Sequence, residues 1–327
     1  MKCVALLSGG LDSTLAVKVI LQQGVEVISL NIKTPFCRCN RLKGCGLIAK
    51  KVAEEFNTGF RSVYLGEEYL QMLKNPAHGY GRNVNPCIDC RIMMFKKAKR
   101  VMEEIGASFM ISGEVLGQRP MSQHRAALET IEKEAGVEGL VVRPLSAKLF
   151  PPTIPEIRGW LDREKLLDMH GRTRKPQMEL AENLGVKNYP CPAGGCLLTD
   201  IAFAGRIRDL IKHDELNVQN VELLKLGRHF RWNDSFKLIV GRNEKENGLL
   251  REKADSDAVI FEPLNLKGPL GIGMGVPKPG DALLACRIVA SYISKKYEGV
   301  DIRIIYGEEQ IAVVESPDLK EAEKFRI

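Results

Sequence analysis

The sequence lacks any uncharged apolar run approaching the roughly 18 residues that a membrane span requires. It also lacks the basic start and cleavage site of a signal peptide, because Met1 leads directly into a strand-like segment. There is no internal repeat and no low-complexity tract. These absences exclude a membrane-spanning protein and a repeat array, and they predict a cytoplasmic protein with no membrane partner.

The composition, 44% hydrophobic and 27% charged over 327 residues, is close to the average for globular proteins. It excludes a fibrous or disordered chain, and the length is enough for two or three domains of about 100 to 200 residues each. Short apolar runs alternate with helical patterns in the first half. This pattern predicts α/β architecture with a Rossmann-like, doubly wound parallel sheet.

Strands and turns replace the alternating pattern from about residue 220, which predicts a second, smaller α+β domain. We therefore expect one domain at 1–200, a linker at 201–219 and the smaller domain at 220–327. Within the first domain, residues 155–170 have the periodicity of one amphipathic helix.

The net charge is +7, from 48 Lys and Arg against 41 Asp and Glu, and it is concentrated locally. Residues 33–51 contain six basic residues and no acidic one, and residues 91–100 contain five, again unopposed. Such patches suit a polyanionic partner, although solvated helix faces have the same composition. The candidate RNA contacts of the second patch are Arg91, Lys96, Lys97 and Arg100.

Nine cysteines in a chain without an export signal are not expected to form a disulfide framework, because the cytosol keeps thiols reduced. Cys3 and Cys286 lie in apolar runs, which is typical of small core residues. The other seven cluster beside Gly, Pro or polar residues. Redox, metal or sulfur chemistry explains them better.

The strongest local motif is Ser8-Gly9-Gly10-Leu11-Asp12-Ser13, which follows the first predicted strand and precedes a helix. Paired glycines let the backbone approach an anion, and a helix N-terminus offers free N–H groups and a positive dipole end. The motif is neither the Walker pattern nor the dinucleotide GxGxxG. It predicts a phosphate site, the alternative being a turn in which Asp12 or Ser13 only caps the helix.

A second motif, Asn85-Pro-Cys87-Ile-Asp-Cys90, leads into the basic helix. A CxxC at a helix N-terminus is expected to have a lowered thiol pKa, because the dipole and a nearby arginine favour the thiolate. About a hundred residues later come Cys191 and Cys196, on either side of Pro-Ala-Gly-Gly. The CxxC pair plus one distant cysteine can hold a [4Fe–4S] cluster that leaves one iron open.

Cys37, Cys39 and Cys45 form a C-x-C-x5-C pattern directly beyond the second predicted strand. A Zn²⁺ clip, a sulfur relay and a simple reduced loop are all consistent with this spacing. The segment 113–123 follows another strand, and its amide and guanidinium groups, including Arg119, suit contacts with phosphate or bases. An ordinary turn closed by Pro120 has the same pattern.

The SGGLDS motif resembles the pyrophosphate loop of the ATP-pyrophosphatase (PP-loop) superfamily, whose members adenylate a substrate and release pyrophosphate. The resemblance covers about residues 1–200 and implies a catalytic domain that binds ATP, with Asp12 near Mg²⁺. It implies that the end of the second strand meets adenine and that a later strand end lines the cleft. The implied ATP-binding residues are Ser8, Gly9, Gly10, Asp12, Ser13, Asn31, Ile32, Gly113 and Glu114.

The sequence NPCIDCRIMMFK is similar to the region around the first catalytic cysteine of bacterial tRNA 2-thiouridine synthases. By this likeness Cys90 and Cys196 are the two catalytic cysteines. Those enzymes have Asp where this chain has Cys87, whereas cluster-containing relatives have the extra cysteine. The resemblance therefore favours Cys87, Cys90 and Cys196 as cluster ligands, with Cys191 as the rival third ligand.

The C-terminal part resembles the RNA-binding domain of NFACT-type ribosome quality-control factors, through LGRHFR, IVGRNEKEN and the helix ALLACRIVASYISKKY. Its candidate RNA contacts are Arg228, Arg231 and Arg242, and Phe230 and Trp232 are interleaved as candidates for base stacking. His229 fits a structural histidine as well as an RNA contact.

Together these features predict an ATP-dependent tRNA sulfurtransferase that adenylates a base carbonyl and replaces its oxygen with sulfur from sulfide or a sulfur carrier. The first alternative is a cluster-free thiolase in which Cys90 carries a persulfide that Cys196 resolves. The others are an ATP-dependent amidating ligase for a small acid and a non-catalytic, nucleotide-switched RNA-binding factor. The sequence is also consistent with a homodimer.

Overall fold

The computed structural model describes residues 1–37, 45–187, 189, 196–293, 297–315 and 319–327. The chain divides into two compact units, Met1–Asp200 and Ile201–Ile327. In the described parts of the chain, no helix has the length and the apolar character needed to cross a membrane.

The first unit contains a parallel sheet of five strands in the order β3-β2-β1-β4-β5. The strands are β1 (Lys2–Leu6), β2 (Glu26–Lys33), β3 (Gly59–Tyr64), β4 (Phe109–Ser112) and β5 (Val141–Val142). The helices are α1 (Leu11–Leu21), α2 (Cys45–Glu55), α3 (Glu67–Lys74), α4 (Cys87–Glu104), α5 (Arg125–Ala135), α6 (Ile154–Ile157) and α7 (Lys175–Asn183).

Helices cover both faces of this sheet, as the continuous apolar strands require. In β1, Cys3 and Ala5 belong to a core cluster with residues of α1 and α2, whereas Val4 belongs to a cluster with α4 and α5. Alternate residues of one strand thus pack on opposite helical layers. The prediction of a doubly wound α/β sheet is confirmed.

The sheet topology brings the loop after β1 and the CxxC pair to the same edge of the sheet. Strands β2 and β4 flank β1 on opposite sides, so the strand order reverses at the loop that follows β1. Helix α4 ends at Glu104, a few residues before β4 begins, so its C-terminus lies at the amino edge of the parallel sheet. Its N-terminus with the CxxC, about 27 Å away along the helix, therefore reaches the carboxyl edge.

The second unit contains a six-stranded antiparallel sheet in the order β11-β10-β8-β9-β7-β6. Its strands are β6 (Arg228–Arg231), β7 (Phe236–Val240), β8 (Val259–Pro263), β9 (Gly271–Gly275), β10 (Val300–Tyr306) and β11 (Glu308–Val314). Its helices are α8 (Ile201–Lys212), α9 (Val218–Leu223), α10 (Glu244–Lys253), α11 (Asp281–Ser291) and α12 (Leu319–Glu323). Helix α11 packs on the sheet through Ala285, Cys286 and Val289, which confirms the α+β prediction.

Two segments differ from the sequence-based expectation. Residues 201–219, expected to be a linker, contain α8 and the start of α9 and belong to the second unit, because Phe203 and Ile207 give α8 a buried face. The amphipathic helix predicted at 155–170 is wrong: α6 ends at Ile157, and Gly159 has a φ of 68°. Trp160 instead packs against Phe109 with ring centroids 6.4 Å apart.

Candidate active site

The Ser8–Ser13 loop follows β1 and opens α1 at the point where the strand order reverses. Gly9 has a φ of 77°, a conformation that favours glycine, and Gly10 caps the helix without a side-chain hydrogen bond. The Ser13 hydroxyl donates to the Gly10 carbonyl at 2.9 Å and lies 3.1 Å from the Ser8 hydroxyl. Glycine has no side chain that could cap the helix, so the N–H groups in the first turn of α1 are available to an anion.

Two neighbouring segments approach this loop closely. A β-carbon on Gly9 would lie 2.8 Å from the Ala49 nitrogen in α2, and one on Gly113 would lie 2.5 Å from the Ser13 nitrogen. Real β-carbons do not tolerate such distances, so both positions require glycine. The structure thus places Gly113, a predicted ATP-binding residue, directly against the loop.

Asp12 is held by residues that the sequence motifs did not single out. Its Oδ2 accepts a hydrogen bond from the Gln118 amide at 3.2 Å and lies 3.7 Å from a guanidinium nitrogen of Arg174. Its Oδ1 is buried and has no hydrogen-bond partner among the described residues. An unpartnered buried carboxylate oxygen beside a phosphate-type loop suits a bound cation or its water ligands.

Asn31 and Ile32 lie at the end of β2, as predicted, but Asn31 has a structural contact. Its amide donates to the Leu7 carbonyl at 2.8 Å, which ties β2 to the start of the phosphate-type loop, and the side chain is buried. Its Oδ1 accepts no hydrogen bond within the described structure. Ile32 is half-buried. Contact with adenine remains a prediction for both.

Glu114 is buried in the protein, and its carboxylate is paired with two arginines. It is 2% exposed and forms ion pairs with Arg91 at 3.4 Å and Arg143 at 3.2 Å, and Arg143 also pairs with Glu132. Arg91 was expected at an RNA-facing surface. Its guanidinium is instead directed to Glu114, so the structure gives this arginine an internal partner.

Three segments that carry thiols are tied together at the carboxyl edge of the sheet. The Leu197 N–H donates to the Phe36 carbonyl at 3.4 Å, and the Asn83 amide donates to the Thr199 carbonyl at 2.7 Å. Tyr69 is buried among them, with its ring 5.5 Å from that of Phe36 and its hydroxyl hydrogen-bonded to Cys90. These contacts bring the segments bearing Cys37, the CxxC pair and Cys196 together.

The thiols are half-buried, and their pKa values differ from the expectation. Desolvation by the surrounding protein raises the pKa of Cys87 and of Cys90, and it outweighs the opposing effect of Arg91. Desolvation also raises the pKa of Cys196 to about 12, and the nearby Cys90, Cys87 and Cys37 add to this effect. The prediction of lowered thiol pKa values is therefore wrong for this arrangement, because desolvation by burial is the largest effect on both thiols.

The thiol set does not form a complete metal centre. Among the described residues, no three His, Cys, Asp or Glu side chains come close enough to hold a metal ion. The rival ligand Cys191 and the relay candidate Cys39 lie outside the described residues, as does the side chain of Cys45. Of the C-x-C-x5-C pattern, Cys37 is the member that the structure brings to the thiols, with its Sγ accepting the Thr34 N–H at 3.3 Å.

Asp89, inside the CxxC, anchors the preceding segment to α4. Its carboxylate accepts the backbone N–H groups of Ala77 at 2.9 Å and His78 at 3.2 Å. The His78 ring bridges Asp89 and Glu134 at 3.3 and 2.9 Å. The sequence reasoning missed this contact, because Asp89 accepts N–H groups from a segment that precedes α4 rather than from α4 itself.

One loop connects the phosphate-type loop with the CxxC segment. Gln118 contacts Asp12, and Met121 packs on Gly81, where a β-carbon would lie 3.0 Å from the Met121 Cε. Arg119 lies between these contacts and is exposed. Gly81 donates its N–H to the Asn85 carbonyl at 2.9 Å, so the loop 117–123 contacts both the phosphate-type loop and the segment that leads into the CxxC pair.

The remaining predicted RNA contacts of the first unit lie on α4. Lys96 and Arg100 are exposed, and Lys97 is half-buried. They remain candidates for phosphate contacts.

The predicted contacts of the second unit are less accessible. Arg231 is 5% exposed and pairs with Asp209 at 3.0 Å and with Glu215, so its charge is used internally. Arg242 pairs with Glu246, and Arg228 lies 4.4 Å from the Tyr292 ring centroid. The structure does not present Arg231 to RNA, because it is a buried ion-pair residue.

The aromatic candidates of this unit are also structural. Phe230 is fully buried, and the Trp232 indole donates to Asp281 at 2.7 Å and packs on Phe236. His229 is fully buried, and desolvation keeps its pKa well below the ordinary value, which agrees with a structural histidine. Base stacking by Phe230 is excluded by its burial.

Residues 1–148 match the family model of the thiamine biosynthesis protein (ThiI). Because of this similarity we call residues 1–148 the ThiI-type domain, and they make up less than half of the 327 residues. Residues 227–326 match the NFACT protein RNA binding domain, so both resemblances identified from the sequence are confirmed.

Curated proteins named for tRNA modification are similar to part of this chain. A probable tRNA sulfurtransferase of Thermococcus kodakarensis is 28% identical over 174 residues, which are 51% of this chain and 39% of that protein. A tRNA-specific 2-thiouridylase MnmA of Syntrophotalea carbinolica is 32% identical over 114 residues, 33% of this chain and 32% of that protein. The chain thus spans less than half the length of these two relatives.

Among solved structures, the chain is similar to a 4-thiouridine synthetase in complex with RNA and bound ATP. The TM-score is 0.38 and the identity 23%, with 68% of this chain and 53% of that chain covered.

Proposed function

We propose that the chain is an ATP-dependent tRNA sulfurtransferase of the cytoplasm, with the ThiI-type domain as catalytic domain and the second unit as RNA-binding domain. The observation that carries the proposal is the loop 117–123, which contacts Asp12 through Gln118 and the CxxC segment through Met121. Nucleotide activation and sulfur delivery need one carbon within reach of both groups. The names of the relatives, tRNA sulfurtransferase and 2-thiouridylase, support the same reaction class.

In the first step the carbonyl oxygen of a uridine or cytidine attacks the α-phosphorus of ATP, and pyrophosphate leaves. The loop Ser8–Ser13 and the first turn of α1 hold the phosphates through backbone N–H groups, which stabilise the developing charge. Asp12, with its unpartnered Oδ1, would hold Mg²⁺ that enters with ATP, and this ion supplies further charge neutralisation.

In the second step a sulfur nucleophile adds to the activated carbon, and the C–O bond breaks, with AMP leaving with the electron pair. Cys90 and Cys196 are proposed to handle the sulfur, which comes from sulfide or a sulfur carrier. Tyr69 fixes the position of Cys90 through its hydroxyl, and Cys37 is the further thiol at this place.

The second step has two forms in this proposal, one with an iron–sulfur cluster and one without. Cys87, Cys90 and Cys196 have the soft donors that a [4Fe–4S] cluster needs, and a bound cluster would supply an open iron for hydrosulfide. However, the described residues contain no three ligands at metal-binding distances, so no step is assigned to a cluster. In the cluster-free form, the sulfur donor is a carrier that holds a persulfide, and Cys90 takes the outer sulfur from it and releases the carrier as a thiol. The terminal sulfur of the Cys90 persulfide then attacks the carbon as AMP leaves. The Cys196 thiolate attacks the Sγ of Cys90, which breaks the S–S bond, releases the thiolated base and forms a Cys90–Cys196 disulfide, and a thiol reductant restores both thiols.

The decisive experiment is mass spectrometry of tRNA nucleosides from a deletion strain complemented with variants. We expect one thiolated nucleoside to disappear on deletion, to return with the natural protein and with Cys286→Ala, and not to return with Asp12→Ala or Cys90→Ala. Cys286 is the matched control, since it is a buried core thiol of the second unit. Full thiolation in the deletion strain would refute the proposal.

Anaerobic purification separates the two forms of the sulfur step. The cluster form predicts bound iron and sulfide that Cys87→Ala removes, whereas the persulfide form predicts neither and a Cys90–Cys196 disulfide after turnover. An amidating ligase would instead turn over ATP with a small acid in the absence of RNA. A non-catalytic RNA-binding factor predicts normal thiolation with Asp12→Ala.

A further inference from the structure

We propose that Arg119 and Arg174 form a phosphate-binding site at the junction of the nucleotide loop and the thiols. The inference rests on the proposed function, which it extends with two positioning residues, and it takes the phosphate of the nucleotide as the occupant. Arg174 belongs to no motif in the sequence.

The first argument is position. Arg119 lies on the loop that contacts both Asp12 and the CxxC segment, and this loop is closed by backbone hydrogen bonds from Gly117 to Gln123 and from Gln123 to Arg119. Arg174 reaches Asp12 from the start of α7, with 3.7 Å between the guanidinium nitrogen and Oδ2. The Arg174 guanidinium thus lies at Asp12, and Arg119 extends from a loop that is held against Asp12 by Gln118.

The second argument is charge. In the described parts of the chain, Arg119 has no carboxylate within ion-pair distance, and the acidic partner of Arg174 is Asp12. Nearby Arg91 is already paired with Glu114. Arg119 and Arg174 thus have Asp12 as the one carboxylate beside them among the described residues, and this leaves an excess of positive charge, which a phosphate would neutralise.

The electrostatics of Arg119 agree with this excess. Although its side chain is exposed, the surrounding protein desolvates the guanidinium enough to lower its pKa, and the charges of Arg91 and Arg174 lower it further. Cys87 and Asp12 act in the opposite direction, so Arg119 is within electrostatic range of both motifs. An arginine on an ordinary surface loop would not have these neighbours.

A phosphate at this place would link the two steps of the reaction. After adenylation the α-phosphate is bonded to the base oxygen, and guanidinium groups hold phosphate oxygens through paired hydrogen bonds. The same groups would stabilise the negative charge of AMP as it leaves. Arg119 and Arg174 would therefore hold the adenylate while the sulfur approaches from the side of Cys87.

The test compares binding of ATP, inorganic pyrophosphate and unmodified tRNA to the full chain, by calorimetry for the first two and by fluorescence anisotropy for tRNA. The variants are Arg119→Ala and Arg174→Ala, with Arg119→Lys and Arg174→Lys as conservative forms. Arg172→Ala is the matched control, since Arg172 is an exposed arginine two positions from Arg174. Thermal unfolding confirms that each variant is folded.

We expect each alanine variant to weaken ATP binding by about 10-fold, with partial rescue by lysine and with tRNA binding unchanged. Weakened tRNA binding with a reduced salt slope and unchanged ATP binding would keep the phosphate site but assign it to the RNA backbone. Binding of all three probes equal to that of Arg172→Ala would overturn the inference. Because binding is measured without turnover, these outcomes are independent of whether the chain thiolates tRNA.

Discussion

Gly113 packs against Ser13 so closely that a β-carbon at position 113 would lie 2.5 Å from the Ser13 nitrogen and 2.6 Å from the Asp12 carbonyl carbon. The contact joins the end of β4 to the first turn of α1, which follows β1. Strands β1 and β4 are neighbours at the point where the strand order reverses. The nearest atoms belong to the backbone of Asp12 and Ser13, so no flexible side chain could move to make room for a β-carbon.

Gly113→Ala is therefore expected to displace the first turn of α1 and to abolish measurable ATP binding. Overpacking of this kind costs about 2 kcal/mol of the free energy of unfolding. Calorimetry with ATP and denaturant unfolding check both effects. Gly205→Ala is the control: Gly205 lies in α8 with nothing within 4 Å of its β-carbon position, so this change should raise stability by about 0.5 to 1 kcal/mol. Normal ATP affinity in Gly113→Ala would contradict the assignment of the loop.

Tyr69→Phe removes the hydroxyl that is hydrogen-bonded to Cys90 without changing the buried ring. We expect single-turnover thiolation to slow about 10-fold, the effect of one lost hydrogen bond in a desolvated site, while ATP affinity is unchanged. Tyr306→Phe, which changes an exposed tyrosine of the second unit, should have no effect. A loss of ATP affinity in Tyr69→Phe would indicate a general disturbance of the cleft instead.

Arg231→Ala should reduce stability rather than RNA affinity. The change leaves Asp209 and Glu215 without their shared cation, and breaking such a buried pair costs about 3 kcal/mol. Denaturant unfolding measures this loss, and anisotropy with tRNA under native conditions should show unchanged affinity. Arg251→Ala removes an exposed ion pair with Glu262 and should cost less than about 1 kcal/mol.

The His78 contact predicts a pH dependence. Desolvation lowers the pKa of His78, but the hydrogen bond and charge of Asp89 and the charge of Glu134 outweigh it, so the folded-state pKa is raised above 6.5. A raised pKa means that the stabilisation is fully present below pH 6.5 and is lost as the pH rises through the folded-state value.

His78→Gln should therefore destabilise the protein more at pH 6 than at pH 8.5, as measured by urea unfolding at both values. NMR titration should give a His78 pKa above 6.5, which Glu134→Gln lowers. The exposed His170 provides the control, since His170→Gln should show no difference between the two pH values. An equal loss at both pH values for His78→Gln would show that the ring acts only through packing.

The sequence predicts the sheet and the phosphate-type loop because both depend on local patterns, namely apolar runs and the glycine pair before α1. It does not predict the contact of Arg174 with Asp12 or that of Tyr69 with Cys90. Each contact joins a motif residue to a residue that belongs to no motif and lies elsewhere in the chain. The expected helix 155–170 fails because Gly159 adopts a left-handed conformation and Trp160 finds a tertiary contact with Phe109. Tertiary contacts there outweigh helical periodicity.

The error at Arg231 has a different cause. The sequence offers Arg231 as an RNA contact, but its acidic partners Asp209 and Glu215 lie in and just after α8, in the stretch expected to be a linker. A linker would leave Arg231 free for RNA, whereas a packed helix neutralises it. The expected linker at 201–219 and the RNA contact expected at Arg231 therefore differ from the structure for the same reason, whereas the first unit ends at Asp200, at the expected residue.

The Cys196 segment is held by contacts with Phe36 and Asn83 and lies more than a hundred residues after the CxxC. The hydrogen bonds of the Ser8–Ser13 loop, in contrast, join Ser8, Gly10 and Ser13 to one another. We therefore expect that shortening the chain before residue 196 would preserve the proposed phosphate site at β1 and remove one member of the proposed thiol set.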